Sequence, residues 1–325
     1  MPVSRHRNMK AVFLDFATMG PGLDLGPLRD VVDTLEVHEA TSDAELPARI
    51  ATADIVFTNK MRLTARLLEG APGLEFIGLT ATGSDNIDLS AAREHGIAVA
   101  NITGYCNSSV AEHVFGVLLM LTHRLPQYRE SVRQGRWQES DMPFLLDHPV
   151  QELGAGTLGI VGHGELGGSV ARIATAFGMR VLIAERRNAA QIRRGRIGFE
   201  EMLETADVIS LHCPLTEETR GLMAAGEFAR MKNTAILVNT ARGGLVDSAA
   251  LADALRRGEI AAAAVDVLPA EPPVDGDPLL DYTGDNLIVT PHIAWATQVA
   301  RQNAIDELAA NTRAFLGGEK RNRIA

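Results

Sequence analysis

Short apolar, β-branched runs alternate with stretches of helical spacing from one end of the chain to the other. In the first third, Ala11–Phe16, Asp54–Thr58, Phe76–Thr80 and Ile97–Ala100 read as strands, with helix-like segments such as Asp43–Ala51 and Leu89–His95 between them. Strands of this kind separated by helices imply βαβ units and a mostly parallel, buried sheet.

From Asn107 the pattern changes. Asn107 and Ser108 are good N-caps, and Val110, Val114, Val117, Leu118 and Leu121 follow at helical spacing. Pro126 is expected to kink or end that helix. A helix this apolar packs between domains or subunits, or is an ordinary core helix; both readings stay open. A second βα series begins at Leu158–Gly162 and continues through Arg180–Ala184, Asp207–Leu211, Ile236–Asn239, Ala262–Val265 and Leu287–Thr290. It completes a doubly wound sheet. The last helix, Gln298–Phe315, is amphipathic and follows that sheet, so it could return to the first domain. The expected division is residues 1–103 with 294–325, a discontinuous domain, and residues 104–293.

Composition narrows the class. The 325 residues are 46% hydrophobic and 22% charged, a globular balance with room for two cores. A formal charge of −10 argues against nucleic acid or an anionic membrane as partner. The basic run Arg193, Arg194, Arg196 is short enough to read as a solvated face. The N-terminal stretch lacks the apolar core of a secretory signal, and Val114–Leu121 is too short to span a bilayer. Two cysteines, Cys106 and Cys213, form no CxxC pair. They point to a reducing compartment, with the cytoplasm as default, and to no cysteine metal site; no metal is expected.

Leu158-Gly-Ile-Val-Gly-His-Gly-Glu-Leu-Gly167 reads as a strand, a glycine-rich turn and a helix. In Gly162-x-Gly164-x-x-Gly167 the first glycine permits the tight turn. The second lets backbone approach a pyrophosphate, and the third lets helix and strand pack closely. Glu185 ends the next strand, 18 positions after Gly167, where a carboxylate hydrogen-bonds the adenosine ribose and repels a 2′-phosphate. Arg186 and Arg187 pull the other way, since guanidinium groups hold phosphate. The expected cofactor is NAD, with NADP as the alternative.

Three polar residues follow strands of the second sheet, where open α/β sheets place their ligands. Arg242 lies in Asn-Thr-Ala-Arg-Gly-Gly, Glu271 in Ala-Glu-Pro-Pro, and His292 in Pro-His-Ile-Ala-Trp. Reducing a 2-keto acid needs a cation for the carboxylate, a proton donor for the carbonyl oxygen, and a hydride. Arg242 suits the first role and His292 the second, with Glu271 orienting and charging the imidazole. Taken singly, an Arg–Glu surface pair and a core histidine are the plainer readings. Together at sheet ends beside a dinucleotide motif, the three read as a catalytic set.

These motifs, with Ala81-Thr-Gly-Ser-Asp-Asn-Ile-Asp88, Asn107-Ser-Ser-Val-Ala-Glu-His113, His212-Cys-Pro-Leu-Thr216, Val265-Asp-Val267 and Glu271-Pro272, occur in the family's order over nearly the whole chain. The sequence resembles the D-isomer-specific 2-hydroxyacid dehydrogenases, and within them the glycerate dehydrogenase (hydroxypyruvate reductase) group. The resemblance implies an α/β protein of two doubly wound parallel-sheet domains, a flavodoxin-like substrate domain and a Rossmann NAD(P)-binding domain. It implies Arg242, Glu271 and His292 as catalytic residues, and substrate contacts at Lys60, Thr82, Gly83, Arg242 and Trp295. For the cofactor it implies Ser108, Val110, Gly162, Gly164, Glu165, Leu166, Gly167, Glu185, His212, Cys213, Pro214, Thr240, Ala241, Asp266 and His292. It also implies a homodimer formed through the helical region after Asn107. Many relatives carry Asp where this chain has Glu185, and His163 is an unusual residue within the turn.

The first functional expectation is a reductase of hydroxypyruvate or glyoxylate that also oxidises D-glycerate. The alternatives are another 2-hydroxy acid such as 3-phosphoglycerate or D-lactate and, in a different class, a dinucleotide-sensing binding protein like the co-repressors that share this fold. Formate oxidation is disfavoured, because it has no alcohol proton for a Glu271–His292 pair to move.

Overall fold

The computed structural model describes residues 8–325; the N-terminal residues before these, part of the stretch read for a targeting signal, lie outside the described residues. The chain divides into two compact units, one taking in the described residues to Cys106 together with Ala296–Ala325, the other Asn107–Trp295.

The first unit holds strands β1 (Lys10–Phe13), β2 (Thr34–Val37), β3 (Ile55–Thr58), β4 (Phe76–Leu79) and β5 (Ala98–Ala100). Around them lie helices α1 (Gly26–Arg29), α2 (Leu46–Ala51), α3 (Ala65–Glu69) and α4 (Leu89–Glu94). The sheet is parallel in the order β2-β1-β3-β4-β5. Ile55–Thr58 and Phe76–Leu79 are buried throughout, as apolar runs in the middle of a parallel sheet must be. Strand β2, Thr-Leu-Glu-Val, is half-exposed at the edge, which is why its sequence carries no strand-like apolar run. The last helix of the chain, α11 (Gln298–Leu316), packs on β4. A Cβ on Gly78 would come within 2.4 Å of Leu308 Cδ1, and Phe315 stacks on Phe76 at 4.7 Å.

The second unit opens with α5 (Asn107–Thr122) and α6 (Leu125–Arg133). Six parallel strands follow: β6 (Thr157–Val161), β7 (Arg180–Ile183), β8 (Val208–Leu211), β9 (Ile236–Asn239), β10 (Ala262–Val265) and β11 (Leu287–Val289). Helices α7 (Glu165–Ala176), α8 (Phe199–Thr205), α9 (Ala225–Phe228) and α10 (Ser248–Arg257) connect them. Strand order is β11-β10-β9-β8-β6-β7, so the winding reverses at β6. In the first unit it reverses at β1. Such switch points open a crevice beyond the strands' carboxyl ends.

Within its unit, α5 packs on α7 and β10, burying Val110, Val114, Val117, Leu118 and Leu121. Pro126 neither kinks nor ends it. The helix stops at Thr122, Arg124 adopts a left-handed φ of 52°, and Pro126 sits in the first turn of α6. There its missing N–H has no helical partner to lose, so the proline starts a helix. Between α6 and β6 the chain forms no helix or strand and leaves Trp137, Met142, Phe144, Leu146 and Val150 exposed. No described helix is long and apolar enough to cross a membrane.

Candidate active site and dinucleotide site

Strand β6 ends one residue before Gly162, whose φ of +95° turns the chain out of the sheet. A Cβ there would lie 2.5 Å from Cys213 N, because the turn is pressed against the end of β8. A Cβ on Gly167 would lie 2.2 Å from Gly162 O, so only glycine lets α7 start this close to the turn. Gly164 differs. Nothing lies within 4 Å of its added Cβ, and no side chain caps the helix that begins after it. Two glycines are thus fixed by packing, while the third faces open space beside the uncapped amides of α7. That space and those donors suit the pyrophosphate of a dinucleotide.

Beyond the end of β7, the Glu185 carboxylate is buried and already partnered. Arg193 donates from Nε to Oε2 at 2.6 Å and from Nη2 to Oε1 at 2.5 Å. The backbone amides of Arg186 and Arg193 add bonds of 2.9 and 3.3 Å. The Arg193 guanidinium and then the Arg186 amide hold this carboxyl down to about 2. The basic run is solvated at Arg193 and Arg194, as its shortness suggests, yet two of its members also serve the buried carboxylate and the strand end. Arg193 turns onto Glu185, and Arg196 donates to Ala184 O at 3.0 Å, because a buried carboxylate needs a charged partner.

On the other side of β6, His212 Nε2 bonds Ser210 Oγ at 2.8 Å, and its Nδ1 is buried without a partner among the described residues. The residue keeps partial exposure, yet desolvation of the ring lowers its pKa to about 3, so the imidazole is neutral near pH 7. Burial raises the Cys213 thiol to about 11. Pro214 is exposed, and Thr240 Oγ1 is another buried polar atom with no partner among the described residues. Asn107 Nδ2 donates to Glu165 Oε2 at 3.4 Å, placing the start of α5, where Ser108 and Val110 lie, beside the start of α7.

The proposed catalytic residues follow three adjacent strands whose ends are in register, Asn239 opposite Val265 and Val265 opposite Val289. Buried Asn239 clamps the turn after β9, donating to Arg242 O at 2.9 Å and accepting from Ala241 N at 3.1 Å. A Cβ on Gly243 would fall 1.9 Å from Leu268 C, so this turn lies directly on the loop after β10. In that loop Leu268 N donates to Glu271 Oε1 at 2.8 Å, and Glu271 Oε2 bonds His292 Nδ1 at 2.6 Å. A carboxylate only accepts, so Nδ1 carries the proton and Nε2 is the ring's outward nitrogen. Arg242 is half-buried. Its guanidinium donates to Ala241 O at 2.7 Å and has no carboxylate partner among the described residues.

Asp266 is the buried anchor of the His292 loop. Its carboxylate accepts from Ile293 N at 2.9 Å, Ala294 N at 2.8 Å and Thr290 Oγ1 at 2.6 Å. Its carbonyl accepts from His292 N at 2.8 Å, which holds His292 at a left-handed φ of 56°. Trp295 Nε1 donates to His292 O at 3.0 Å, Ser109 Oγ to Ala294 O at 2.6 Å, and His113 Nε2 meets Thr290 Oγ1 at 3.2 Å. Thr290, His113 and Ser109 were not singled out from the sequence as supports of this loop. Their partners are too distant along the chain for any spacing rule to reveal.

Lys60, Thr82 and Gly83 belong to the first unit, beyond the carboxyl ends of β3 and β4. Buried Asp15 accepts from the amides of Asn59, Lys60 and Met61 at 2.9, 2.6 and 3.2 Å, fixing the loop that presents Lys60. Thr82 donates to Ile102 O at 2.9 Å, and its carbonyl accepts from Asn101 at 2.7 Å. Among the described residues no group of three His, Cys, Asp or Glu side chains could hold a metal ion.

Residues 115–294 match the family model described as D-isomer specific 2-hydroxyacid dehydrogenase, NAD binding domain. A glycerate dehydrogenase of Methylorubrum extorquens is 42% identical over 289 residues, 89% of this chain and 91% of that protein. A hydroxypyruvate reductase of Blautia hydrogenotrophica is 36% identical over 323 residues, 97% of this chain and 99% of that one. Among solved structures, an acyclic imino acid reductase in complex with NADPH and D-Arg superposes with a TM-score of 0.85 at 28% identity, covering 98% of this chain and 100% of its own. The glycine turn, the row of Arg242, Glu271 and His292, and these likenesses agree: the chain belongs to the D-isomer specific 2-hydroxyacid dehydrogenases, oxidoreductases with an NAD-binding domain.

Proposed function

We propose that this protein reduces hydroxypyruvate or glyoxylate to the D-2-hydroxy acid (glycolate in the second case) and oxidises D-glycerate in reverse. The observation that carries the chemistry is the 2.6 Å bond from Glu271 to His292 Nδ1, one strand away from a guanidinium with no carboxylate partner among the described residues. The substrate follows the relatives named for glycerate and hydroxypyruvate, at 42% and 36% identity.

Arg242 grips the substrate carboxylate with two parallel hydrogen bonds and polarises the adjoining keto group. His292 gives the proton on Nε2 to the carbonyl oxygen, while Glu271 holds Nδ1–H and stabilises the cationic ring. In the oxidation direction the neutral Nε2 takes the hydroxyl proton. When bound, the dinucleotide supplies or receives the hydride. Gly162, Gly164, Glu165, Leu166 and Gly167 would hold its pyrophosphate, and the Glu185–Arg193 pair with His212, Cys213 and Pro214 would flank its adenosine. Ser108, Val110, Thr240, Ala241 and Asp266 would line the nicotinamide end. Asp266 would serve there chiefly through its hold on the His292 loop, since its carboxylate already accepts three bonds.

Residues 1–103 with 294–325 would form the substrate domain, with Lys60, the Thr82 and Gly83 amides and Trp295 as further substrate contacts, and residues 104–293 the dinucleotide domain. The exposed apolar side chains at Trp137, Met142, Phe144 and Leu146 support a homodimer formed through the region after Asn107, and light scattering at the mass of two chains is expected. The cytoplasm is the proposed compartment.

The test is loss of reduced-nicotinamide absorbance with hydroxypyruvate, glyoxylate, pyruvate and 3-phosphohydroxypyruvate in turn. Fastest turnover with hydroxypyruvate or glyoxylate is expected. A clear preference for pyruvate or the phosphorylated acid would replace the substrate assignment and leave the family unchanged.

A further inference from the structure

Apart from the catalytic row, the most heavily engaged carboxylate in the second unit is Glu185, and its partner is a residue that the proposed reaction does not use. A carboxylate offers about four acceptor sites. Here four donors take them: Arg193 Nε, Arg193 Nη2 and the amides of Arg186 and Arg193, with Arg196 Nε a further 3.8 Å contact. A ribose hydroxyl, a neutral donor, would have to displace a bidentate guanidinium to reach Glu185, and the charged pair is the stronger one.

The exposure of the two partners runs the other way. The Glu185 side chain is 3% exposed and the Arg193 side chain 58%. What the loop presents to a ligand is therefore the cation. Arg186, Arg187, Arg193, Arg194 and Arg196 fall within eleven residues, in a chain whose net charge is −10. Arg187 is engaged by Glu227 at 2.6 Å, and Arg196 bonds Ala184 O. The guanidinium groups of Arg186 and Arg194 make no ion pair among the described residues.

We propose that Arg193 determines dinucleotide specificity: by occupying Glu185 it cancels the charge that would repel a 2′-phosphate and puts a guanidinium in its place. The second unit then accepts NADP(H) at least as well as NAD(H). Arg193 stays on Glu185 when either dinucleotide binds, and Arg186 or Arg194 completes the phosphate's contacts. The inference rests on the dinucleotide site described above and concerns only its adenosine end.

The experiment is a binding titration of the full chain with NADH and with NADPH, without keto acid, read by nicotinamide fluorescence. Displacement by 2′,5′-ADP against ADP gives a second readout free of the nicotinamide. Wild type is expected to bind NADPH as tightly as NADH or tighter. Arg193→Ala is expected to weaken NADPH and 2′,5′-ADP by about 10- to 100-fold, the size of a lost charged hydrogen bond, while NADH binding holds or tightens as Glu185 is released. Arg193→Lys, which keeps the charge without the fork, should fall between them, with circular dichroism confirming the fold of both variants. Wild type binding NADH more than tenfold tighter than NADPH would overturn the proposal, as would a ratio unmoved by Arg193→Ala. Binding of neither dinucleotide would overturn the dinucleotide site itself, and this inference with it.

Discussion

In the second unit Glu271 bonds a histidine at 2.6 Å and Glu185 bonds an arginine at 2.5 and 2.6 Å, each beyond the carboxyl end of a strand of the same sheet. Bond length barely separates them; exposure and proton chemistry do. Both members of the first pair are about one-third exposed, at 35% and 31%, and an imidazole can both give and take a proton. That pair can reach a ligand and pass it a proton. In the second pair the carboxylate is closed off, and the arginine keeps its proton at any working pH. It can position charge and cannot move a proton. A carboxylate at a sheet end therefore takes its function from its partner and its access to solvent.

Removing the base should separate the two pairs most. His292→Ala is expected to lower kcat by about 100- to 10,000-fold, the usual worth of a general acid–base group. Full activity in that variant would remove His292 from the proton step. Glu271→Gln keeps the shape and removes the charge. It should reduce kcat by about 10- to 100-fold, as expected for a charged hydrogen bond, and alter the pH–rate profile, which a purely structural side chain would leave in place. Gly243→Ala drives a Cβ into Leu268 and Pro269, the loop that holds Glu271. A loss of roughly 1–3 kcal/mol in urea unfolding is expected. The ratio of NADPH to NADH affinity should not move, since Arg193 lies on the far side of the sheet order; a changed ratio would mean that the two ends are coupled.

The smallest effect concerns acid stability. The Glu185 carboxyl is lowered from 4.5 to about 2 by Arg193 and the Arg186 amide. A carboxylate with a depressed folded-state pKa stabilises fully above its unfolded value, and that contribution fades as pH falls from about 4.5 through about 2. The melting temperature of wild type should exceed that of Glu185→Gln at pH 7, with the gap closing across this window. A constant gap would mean that the ion pair contributes nothing to the difference.

Most strands of both sheets were legible because buried parallel strands are written as unbroken apolar runs: the expected Asp54–Thr58 is Ile55–Thr58 in the structure and Ala262–Val265 is unchanged, while the expected Ala11–Phe16 already ends at Phe13. Strand β2 was missed because an edge strand keeps one side in water and needs no such run. Pro126 was placed correctly as a break in regularity and wrongly as an end, since a proline's effect depends on which turn of a helix it occupies. The glycine turn was readable by its spacing. That Gly162 and Gly167 are fixed by packing and Gly164 is left open could be seen only from their neighbours in space.

By itself the sequence determined two βα series, a dinucleotide turn and a set of Arg, Glu and His at strand ends. Each depends on local spacing or residue type, which a chain carries before it folds. The tertiary structure alone decided that Asp266, Thr290 and Ser109 hold the His292 loop and that Arg193 closes over Glu185. Except for Arg193, these partners lie tens to hundreds of positions apart. Even Arg193, eight residues from Glu185, reads in the sequence as one of several solvated arginines, because burial of the carboxylate is what draws it in.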